Sequence, residues 1–545
     1  MRIRLPLLRR ISQIFFLILF LGLLVFTSLR ATAGASTEMH LRGPVRLFFE
    51  WDPLVALVNA LAGHALYRGL LWSLVILVPT MFLGRFFCGW ICPMGTLQHW
   101  MGSWPSESKR GKQRIDSNRY KRWQTAKYVV LLAGLVAAVF GSAVIGWLDP
   151  FSLLVRSFGL SLLPAFNAGV RAVLAPMEQS HIGMIRTVGE GLHKALQASL
   201  LDFRQTHFAQ GFVLGILFVL ILAASLRVTR LWCRSICPLG ALLGVVSRWS
   251  VFGLYKDPES CDHCNRCLLH CQGGDDPIGG VPWRKAECLM CMNCVGSCPH
   301  DGLAFRFFRK EKEVISPDLG RRRTVTGLAA GLVVVPLMRA DTGMGKSRHE
   351  RLLRPPGALD EPDFLSRCIR CGECMKVCPN NSLHPTLTEA GIEGLWTPTL
   401  IPRIGYCEPS CVLCSEVCPT GAIWQITPKE KGWVVGVGSG NQPVRLGLAF
   451  YDRGRCLPWA MAADCIVCEE WCPVSPKAIY VEEAQVVDSA GNTKTLKQPR
   501  VDPNRCVGCG ACEYACPLQE HPAVYVTSIG ESRSPSSQIL LNRKS

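Results

Sequence analysis

Long apolar runs dominate the first half of the sequence and predict membrane-spanning helices. The first run covers residues 11–29, and three more follow at about 66–87, 127–148 and 208–226. Each is close to the length of about 20 residues with which an α-helix crosses a bilayer. Residues 11–29 could also be a signal peptide, but no small-residue cleavage site follows closely. We therefore expect a helix that is retained.

Basic residues beside these runs predict the orientation of the chain. Seven lysines and arginines lie within residues 101–125, between the second and third runs. Short loops rich in such residues stay in the cytoplasm, so this loop and the arginine-rich N-terminus are expected inside. Residues 30–65 and 149–207 are then expected outside.

The apolar region contains an internal repeat. An Asp-Pro pair at residues 52–53 precedes the second run, which leads into a Cys-x3-Cys-Pro motif at 88–93. A second Asp-Pro pair at 149–150 precedes the fourth run, which leads into the same motif at 233–238. Two parallel units would bring four cysteines together at the cytoplasmic surface. The two aspartates are expected to begin helices, because Asp caps a helix and Pro suits its first turn. A role in a quinone site is the alternative for Asp52 and Asp149.

An amphipathic helix is predicted within residues 165–202, on the outer face. His181 and His193 lie there and are expected to be ordinary surface or packing residues. The apolar positions recur at helical spacing: Ile182, Ile185, Val188, Leu192, Leu196 and Leu200.

A fifth crossing is predicted after residue 320. Arg321, Arg322 and Arg323 precede an apolar run that ends at Met338, which resembles a twin-arginine export signal. Thr326 departs from that pattern, since a leucine is usual there. We expect an uncleaved anchor that puts residues 340–545 outside. An interfacial or buried helix is the alternative.

Short alternating strands are predicted between the cysteine motifs of the last 200 residues. One covers 422–426, a hairpin covers 433–452 around a Ser-Gly-Asn turn, and a second hairpin covers 478–496 around Gly-Asn. Residues 342–360 and 528–545 are polar or rich in Pro and Gly, and are predicted to be a linker and a tail.

Composition narrows the chemistry to cysteine. The chain has 28 cysteines, 49% hydrophobic residues and a net charge of +18. We attribute the charge to membrane topology and not to nucleic-acid binding, because basic residues cluster beside apolar runs. No Cys-x2-Cys-His haem motif, Walker loop or convincing dinucleotide motif occurs in the sequence.

Twenty-four of the cysteines follow the spacing of bacterial ferredoxins. Cys261-x2-Cys264-x2-Cys267-x3-Cys271 is followed by a second such run that ends at Cys298-Pro299. In this pattern each run supplies three thiolates to one [4Fe–4S] cluster and its fourth cysteine to the other. Gln272 departs from the pattern, since Pro is usual after the fourth cysteine. Disulfides or zinc are the alternative, against which the repeated spacing argues.

Two further pairs of runs follow, with a Cys407-x3-Cys411 and a Cys456-x8-Cys465 variation. Six clusters are expected in all. The predicted ligand sets are set 1 (Cys261, Cys264, Cys267, Cys298), set 2 (Cys288, Cys291, Cys294, Cys271), set 3 (Cys368, Cys371, Cys374, Cys418), set 4 (Cys407, Cys411, Cys414, Cys378), set 5 (Cys456, Cys465, Cys468, Cys516) and set 6 (Cys506, Cys509, Cys512, Cys472).

The remaining cysteines, Cys88, Cys92, Cys233 and Cys237, form what we call the four-cysteine group. Cysteines four residues apart lie on one face of a helical turn. Four thiolates could hold a further cluster or a metal ion. Two redox-active or merely structural thiol pairs are the alternative.

The sequence thus predicts a mixed fold, an α-helical membrane bundle of four helices and a fifth crossing, with α+β dicluster ferredoxin-like domains. The membrane domain covers residues 1–250 and the cytoplasmic ferredoxin domain 251–312. The export-like leader and anchor cover 313–340, a four-cluster region covers 341–530, and a polar tail covers 531–545.

The first 310 residues resemble the membrane subunit NapH, on four helices, two Cys-x3-Cys-Pro motifs and a two-cluster domain. Residues 320–530 resemble the ferredoxin subunits NapG and MauM, on an arginine-rich leader, four cluster motifs and the long Cys-x8-Cys spacing. The resemblance implies a fusion of the two in the bacterial inner membrane. It also implies a quinol dehydrogenase component that draws electrons from the membrane quinone pool and passes them to a periplasmic cytochrome or reductase.

Two other functions stay open on the sequence. Electron flow could run the other way, between a cytoplasmic ferredoxin and quinone. The chain could also be an accessory protein that matures or regulates a metalloenzyme, although six clusters are more than such a role needs. No general base for quinol can be assigned from the sequence.

Overall fold

The chain forms two compact units in the computed structural model. The structure describes residues 4–29, 46–64, 68–104, 111–199, 205–308, 320–340, 350–433, 443–487 and 490–533. Unit 1 comprises Met1–Leu24, Arg46–Phe158 and Phe212–Leu337. Unit 2 comprises Val25–Val45, Gly159–Gly211 and Met338–Ser545.

Helices make up most of unit 1 and short elements most of unit 2. The helices are α1 (Arg4–Leu29), α2 (Leu47–Glu50), α3 (Pro53–Ala62), α4 (Leu74–Leu83), α5 (Phe86–Trp90), α6 (Pro93–Ser103), α7 (Gly111–Asn118), α8 (Ala126–Val139), α9 (Pro150–Ser157), α10 (Leu163–Glu178), α11 (Gly183–Ser199), α12 (Gly211–Arg227), α13 (Leu231–Ser235), α14 (Pro238–Val246), α15 (Arg266–Leu269), α16 (Asn293–Ser297), α17 (Arg321–Ala340), α18 (Glu361–Arg367), α19 (Glu373–Lys376), α20 (Leu413–Glu416), α21 (Pro428–Lys431), α22 (Leu457–Ala460), α23 (Val467–Glu470) and α24 (Ala511–Ala515). The strands are β1 (Phe252–Lys256), β2 (Leu303–Phe307), β3 (Leu383–Pro385), β4 (Pro398–Leu400), β5 (Leu448–Tyr451), β6 (Ile479–Val487), β7 (Thr493–Val501) and β8 (Val524–Thr527).

The predicted spans are helical, but several are shorter than expected. Two described helical stretches are long and apolar enough to cross a membrane, Leu5–Thr27 and Pro150–Glu178. The second spans residues that we had expected to lie outside the membrane. The run at 66–87 gives a 3₁₀ segment, Arg68–Ser73, and the ten-residue α4. The predicted bundle of four spans is therefore not confirmed.

The N-terminal helix packs as an integral part of unit 1. Gln13 Nε2 in α1 donates a 2.7 Å hydrogen bond to the Gly89 carbonyl, and Ser12 Oγ donates one of 3.1 Å to that of Trp90. Further along, the rings of Phe20 and Phe48 meet edge to face at 5.3 Å. These contacts place α1 against the rest of unit 1.

Helix α17 approaches helix α8 closely through two glycines. A Cβ on Gly331 would lie 2.6 Å from Val136 Cβ, and one on Gly327 would lie 2.9 Å from Leu132 Cδ2. Small residues four apart let helix backbones approach in this way, as they do in membranes. The predicted fifth crossing is thus a packed helix, although it is not among the two candidate spans named above.

Unit 2 joins the segment 159–211 to the cluster-rich C-terminal half. Asn381 Nδ2 donates to the His207 carbonyl at 2.8 Å, and Gln210 Nε2 donates to the Pro385 carbonyl at 3.1 Å. The ring of Phe208 packs on that of His384 with centroids 5.4 Å apart. Two regions that the sequence separately places outside the membrane therefore make direct contact.

Helix α11 confirms the predicted amphipathic helix, and Leu200 lies outside the described residues. His193 Nδ1 contacts Glu178 Oε1 of α10 at 2.5 Å. His181 lies just before α11, in the turn that links it to α10.

Within the described residues, four two-stranded antiparallel sheets lie beside the cysteine runs: β1–β2, β3–β4, β5–β8 and β6–β7. The predicted hairpin at 478–496 is confirmed as β6–β7, which extends to Val501. The hairpin predicted at 433–452 is wrong over its second strand, because β5 pairs with the distant β8; its turn lies outside the described residues. The strand predicted at 422–426 forms only an isolated bridge, between Ile423 and Ala358.

Candidate iron–sulfur sites

The fold brings together the four cysteines of each predicted ligand set. Sets 1, 3, 4 and 5 each line one small cavity of their own. In set 2, Cys271 lies within electrostatic reach of Cys288, Cys291 and Cys294. In set 6, Cys472 lies likewise beside Cys506, Cys509 and Cys512. The fourth cysteine of each run thus crosses to the cavity of its partner run.

The backbone around the thiols is shaped to hold an anionic group. In four of the runs, two alternate residues between the first three cysteines have positive φ, as at Arg370 (59°) and Gly372 (88°). Such alternation turns successive N–H groups into one concavity, which favours anions. The amide of Arg370 donates to Cys368, and that of Glu373 donates to Cys371. A cubane with four thiolates fits this cradle.

Most of the thiols are buried and all are free, which suits iron–sulfur ligation better than disulfides. All 28 cysteines are unpaired with one another. Burial raises the pKa of Cys411 and of Cys509 to about 12, so a thiolate at either position is costly unless positive charge lies beside it. Among the described residues, no group of three or more His, Cys, Asp or Glu is arranged to hold a single metal ion. The larger cubane fits the chemistry of these donor sets.

Neighbouring sets form a linear order in unit 2. Cys414 of set 4 lies within electrostatic reach of Cys374 of set 3. The amide of Cys407, in set 4, donates to the carbonyl of Cys509, in set 6, at 2.8 Å. Cys512 of set 6 lies near Cys468 of set 5. The order is therefore set 3, set 4, set 6 and set 5.

A second linear order exists within unit 1. Cys294 of set 2 lies near Cys267 of set 1. On its other side, the segment carrying set 2 contacts the first Cys-x3-Cys-Pro motif, since Trp90 Nε1 donates to the Met290 carbonyl at 2.9 Å. The order in this unit is set 1, set 2 and the four-cysteine group.

Polar groups lie within hydrogen-bond distance of several cysteine sulfurs. Lys431 Nζ, which is fully buried, lies 3.3 Å from Cys407 Sγ and also donates to two backbone carbonyls. Tyr451 Oη lies 3.1 Å from Cys468 Sγ, and Ser382 Oγ lies 3.1 Å from Cys378 Sγ. Hydrogen bonds to sulfur and nearby charge set the reduction potential of a cluster.

The four-cysteine group is assembled from both repeats. All four thiols are buried, and Cys92 and Cys237 each lie within electrostatic reach of Cys233 and Cys88. Burial raises the pKa of Cys233 to about 11. The group offers four sulfur donors, the same number as each of sets 1 to 6.

Two buried arginines beside this group were not anticipated from the sequence. Arg85 and Arg230 each precede the first cysteine of a motif by three residues, and this repeated spacing was the missed signal. Arg85 Nη2 lies 4.0 Å from Cys88 Sγ, and Arg230 Nη1 donates to the Cys88 carbonyl at 3.0 Å.

The two arginines cross between the repeats. A Cβ on Gly240 would lie 2.9 Å from Arg85 Nη2, and one on Gly95 would lie 3.3 Å from Arg230 Nη1. The guanidinium of each repeat therefore lies against the first turn of the helix that follows the other repeat's motif, at Gly240 in α14 or at Gly95 in α6. Positive charge at this position offsets the cost of buried thiolates.

The two Asp-Pro pairs begin helices, as the sequence predicts. Asp52 Oδ1 accepts from the Leu54 amide at 2.8 Å, and Asp149 Oδ2 accepts from the Ser152 amide at 2.8 Å. Both carboxyls are fully buried. A quinone-site role for Asp52 or Asp149 stays a hypothesis that these contacts do not require.

Family models for iron–sulfur domains match several parts of the chain. One "4Fe-4S binding domain" model matches twice, at residues 65–112 and 210–256, once over each Cys-x3-Cys-Pro repeat. Other models of that description match 285–307 and 364–384. A "4Fe-4S dicluster domain" model matches 462–519.

Curated relatives match mainly the C-terminal part of the chain. The ferredoxin-type protein NapG of Escherichia coli (strain K12) is 34% identical over 224 residues, 38% of this chain and 86% of the relative. The methylamine utilization ferredoxin-type protein MauM of Methylophilus methylotrophus is 32% identical over 213 residues, with the same two shares. The putative electron transport protein YccM of Escherichia coli (strain K12) is 28% identical over 279 residues, 49% of this chain and 65% of the relative. No solved structure matches.

Proposed function

The chain belongs to the NapG/MauM family of ferredoxin-type iron–sulfur electron-transfer proteins, and we propose that it oxidises membrane quinol. It then passes the electrons to a periplasmic redox partner. The observation that carries this proposal is the linear order of cysteine sets within each unit. Neighbouring sets that lie close together are the arrangement needed for electron transfer in single steps.

Sets 1 to 6 are proposed to hold six [4Fe–4S] clusters, and the four-cysteine group a seventh. When bound, such a cluster takes up and releases one electron at a time. The protein contributes burial, the N–H cradles and the side chains of Lys431, Tyr451 and Arg85, which tune the cluster potentials. Oxidation of one quinol releases two electrons and two protons, and several clusters in series can take those electrons separately.

The membrane arrangement is proposed to be that of a NapH-like domain joined to a NapG-like domain. Support comes from the domain model that matches both repeats and from the packing of α17 on α8. The contacts of Asn381 and Gln210 within unit 2 are also consistent with segments on one side of the membrane. Residues 251–312 would then face the cytoplasm and residues 341–545 the periplasm.

The function is tested with the full chain purified anaerobically in detergent. Six clusters of four irons require about 24 iron atoms per chain, and a seventh raises this to about 28. A menaquinol analogue is expected to bleach the visible cluster absorbance of the oxidised protein within seconds. If dithionite reduces the clusters but quinols do not, and quinones do not reoxidise them, the quinol function is wrong.

A further inference from the structure

A large cavity opens in unit 1 beside set 2. It has a volume of ≈ 660 Å³ and lies between α1, α6 and the segment that follows Cys271, whose own side chain lines it. Ligand pockets in proteins are commonly of this size. The walls are mostly apolar and include Leu17 and Leu97, and exposed Ile14 and Trp100 line it too.

The cavity also has a polar region with unsatisfied groups. Arg9 is buried, and its Nε and Nη1 have no hydrogen-bond partner within the described part of the chain. Gln272 is buried as well, and its Oε1 also has no hydrogen-bond partner among the described residues. Its Nε2 makes one long contact of 3.4 Å to His99 Nε2. Buried polar atoms without partners cost free energy unless a ligand or water supplies the missing bond.

The unsatisfied groups call for a ligand that both donates and accepts. The Arg9 nitrogens can only donate, whereas Gln272 Oε1 can only accept. A phenolic hydroxyl does both, and a hydroquinone carries two of them on an apolar ring. Burial, together with the guanidiniums of Arg230 and Arg9, lowers the pKa of His99 to about 2, so its imidazole is neutral and adds no charge.

We infer that this cavity binds the headgroup of the quinol. Gln272 Oε1 would accept a hydrogen bond from one hydroxyl, and Arg9 would donate one to the oxygen of that hydroxyl. This inference rests on the proposed function. The position of Cys271 in the wall puts the bound ring next to a predicted cluster ligand. It also gives a role to Gln272, the residue that departs from the usual Cys-Pro pattern, because a proline there would offer no side-chain acceptor.

An anionic lipid headgroup would suit the cavity less well. Arg9, Arg10 and Arg114 line it and could bind a phosphate. The phosphodiester itself has no hydrogen to donate, so only a headgroup with a hydroxyl or an amine beyond the phosphate would satisfy Gln272 Oε1. The apolar walls likewise suit a ring and the start of a prenyl tail better than a phosphate.

The experiment measures binding as well as reduction, with the full chain in nanodiscs. Leu17→Trp fills the cavity, and Gln272→Leu removes the acceptor. Ile18→Trp is the matched control, because Ile18 is exposed on the same helix and does not line the cavity. An azido-naphthoquinone serves as a photoaffinity probe, and calorimetry with 2,3-dimethyl-1,4-naphthoquinone gives the dissociation constant.

Both cavity variants are expected to weaken binding about tenfold or more, the effect of one lost hydrogen bond or a filled pocket. Iron content should not change, and labelled peptides should come from α1 and α6. Unchanged binding by Leu17→Trp, when quinol still reduces the wild type, overturns the site and leaves the function standing. If quinol does not reduce the clusters of the wild type, the function is wrong instead. Displacement of the probe by phosphatidylglycerol but not by quinol assigns the cavity to lipid and also overturns the site.

Discussion

Lys431 is the residue whose charge bears most directly on a single cluster site. Its ammonium group is buried, lies 3.3 Å from Cys407 Sγ, and lies over the Trp433 ring at 4.1 Å from the centroid. Its described hydrogen bonds go to Cys407 Sγ and to the carbonyls of Glu408 and Cys411, and none goes to a carboxylate. The reduced form of a cluster carries one more negative charge, and a nearby cation stabilises that form.

Lys431→Met is therefore expected to lower the reduction potential of the cluster at set 4. We expect a shift on the order of 60 mV, which is a tenfold change in a one-electron equilibrium. A redox titration followed by EPR measures it. Lys429→Met is the control, because Lys429 lies in the same short helix with its side chain exposed. Identical titrations of the two variants would contradict the role of Lys431.

The four-cysteine group makes a second prediction at this scale. Cys88→Ser with Cys237→Ser is expected to lower the iron content by about four atoms per chain, because half of the donors of one cubane are lost. Arg85→Gln is expected to lower it in part, since buried thiolates lose a nearby cation. Ser235→Ala, inside the second motif, is the control. Unchanged iron content in the double cysteine variant would leave these residues as structural or redox-active thiols.

At the scale of elements, periodicity was informative where a pattern is local. The spacing of Ile185, Val188 and Leu192 predicted α11, and the alternation around Gly491 predicted the β6–β7 hairpin. The pairing of β5 with β8 was missed because the two strands lie more than 70 residues apart in the sequence. The residues of one strand carry no signal that identifies the strand with which it pairs.

The cysteine sets could be predicted because their spacing repeats, whereas the cavity beside set 2 could not. Its walls come from segments near residues 9, 99 and 272, which are brought together only by the tertiary fold. The lengths of the predicted spans also rested on the number of consecutive apolar residues, which does not show where a helix ends. Helix α8 ends at Val139, and Gly141 follows with φ 77°, so the predicted span at 127–148 was too long.

The contact between α17 and α8 makes a prediction for one element. Gly331→Leu is expected to destabilise unit 1 by about 1–3 kcal/mol, because its side chain would overlap Val136 and the Ala133 carbonyl. Unfolding in a detergent mixture, followed by circular dichroism, measures the loss. Ala329→Leu is the control, since Ala329 is exposed on the same helix. Equal stability of the two variants would mean that the close approach is not required.

At the scale of the whole molecule, the question is on which side of the membrane the chain ends. We expect alkaline phosphatase fused after Ser545 to be active and a fluorescent protein that folds only in the cytoplasm to be dark. A fusion after Phe308 should give the reverse pattern, because residues 251–312 are proposed to be cytoplasmic. If both fusions report the cytoplasm, α17 does not cross, and exchange between a cytoplasmic carrier and the quinone pool becomes the better function.

The crosswise arginines have a consequence for how the membrane domain is built. Arg85 lies against Gly240 and Arg230 lies against Gly95, so neither repeat alone contains both partners of such a contact. A chain with one copy of the repeat could satisfy both contacts only by pairing with a second copy. The two repeats thus contact each other as two subunits of a symmetric dimer would, and we expect the halves to reassemble when they are produced as separate chains in one cell.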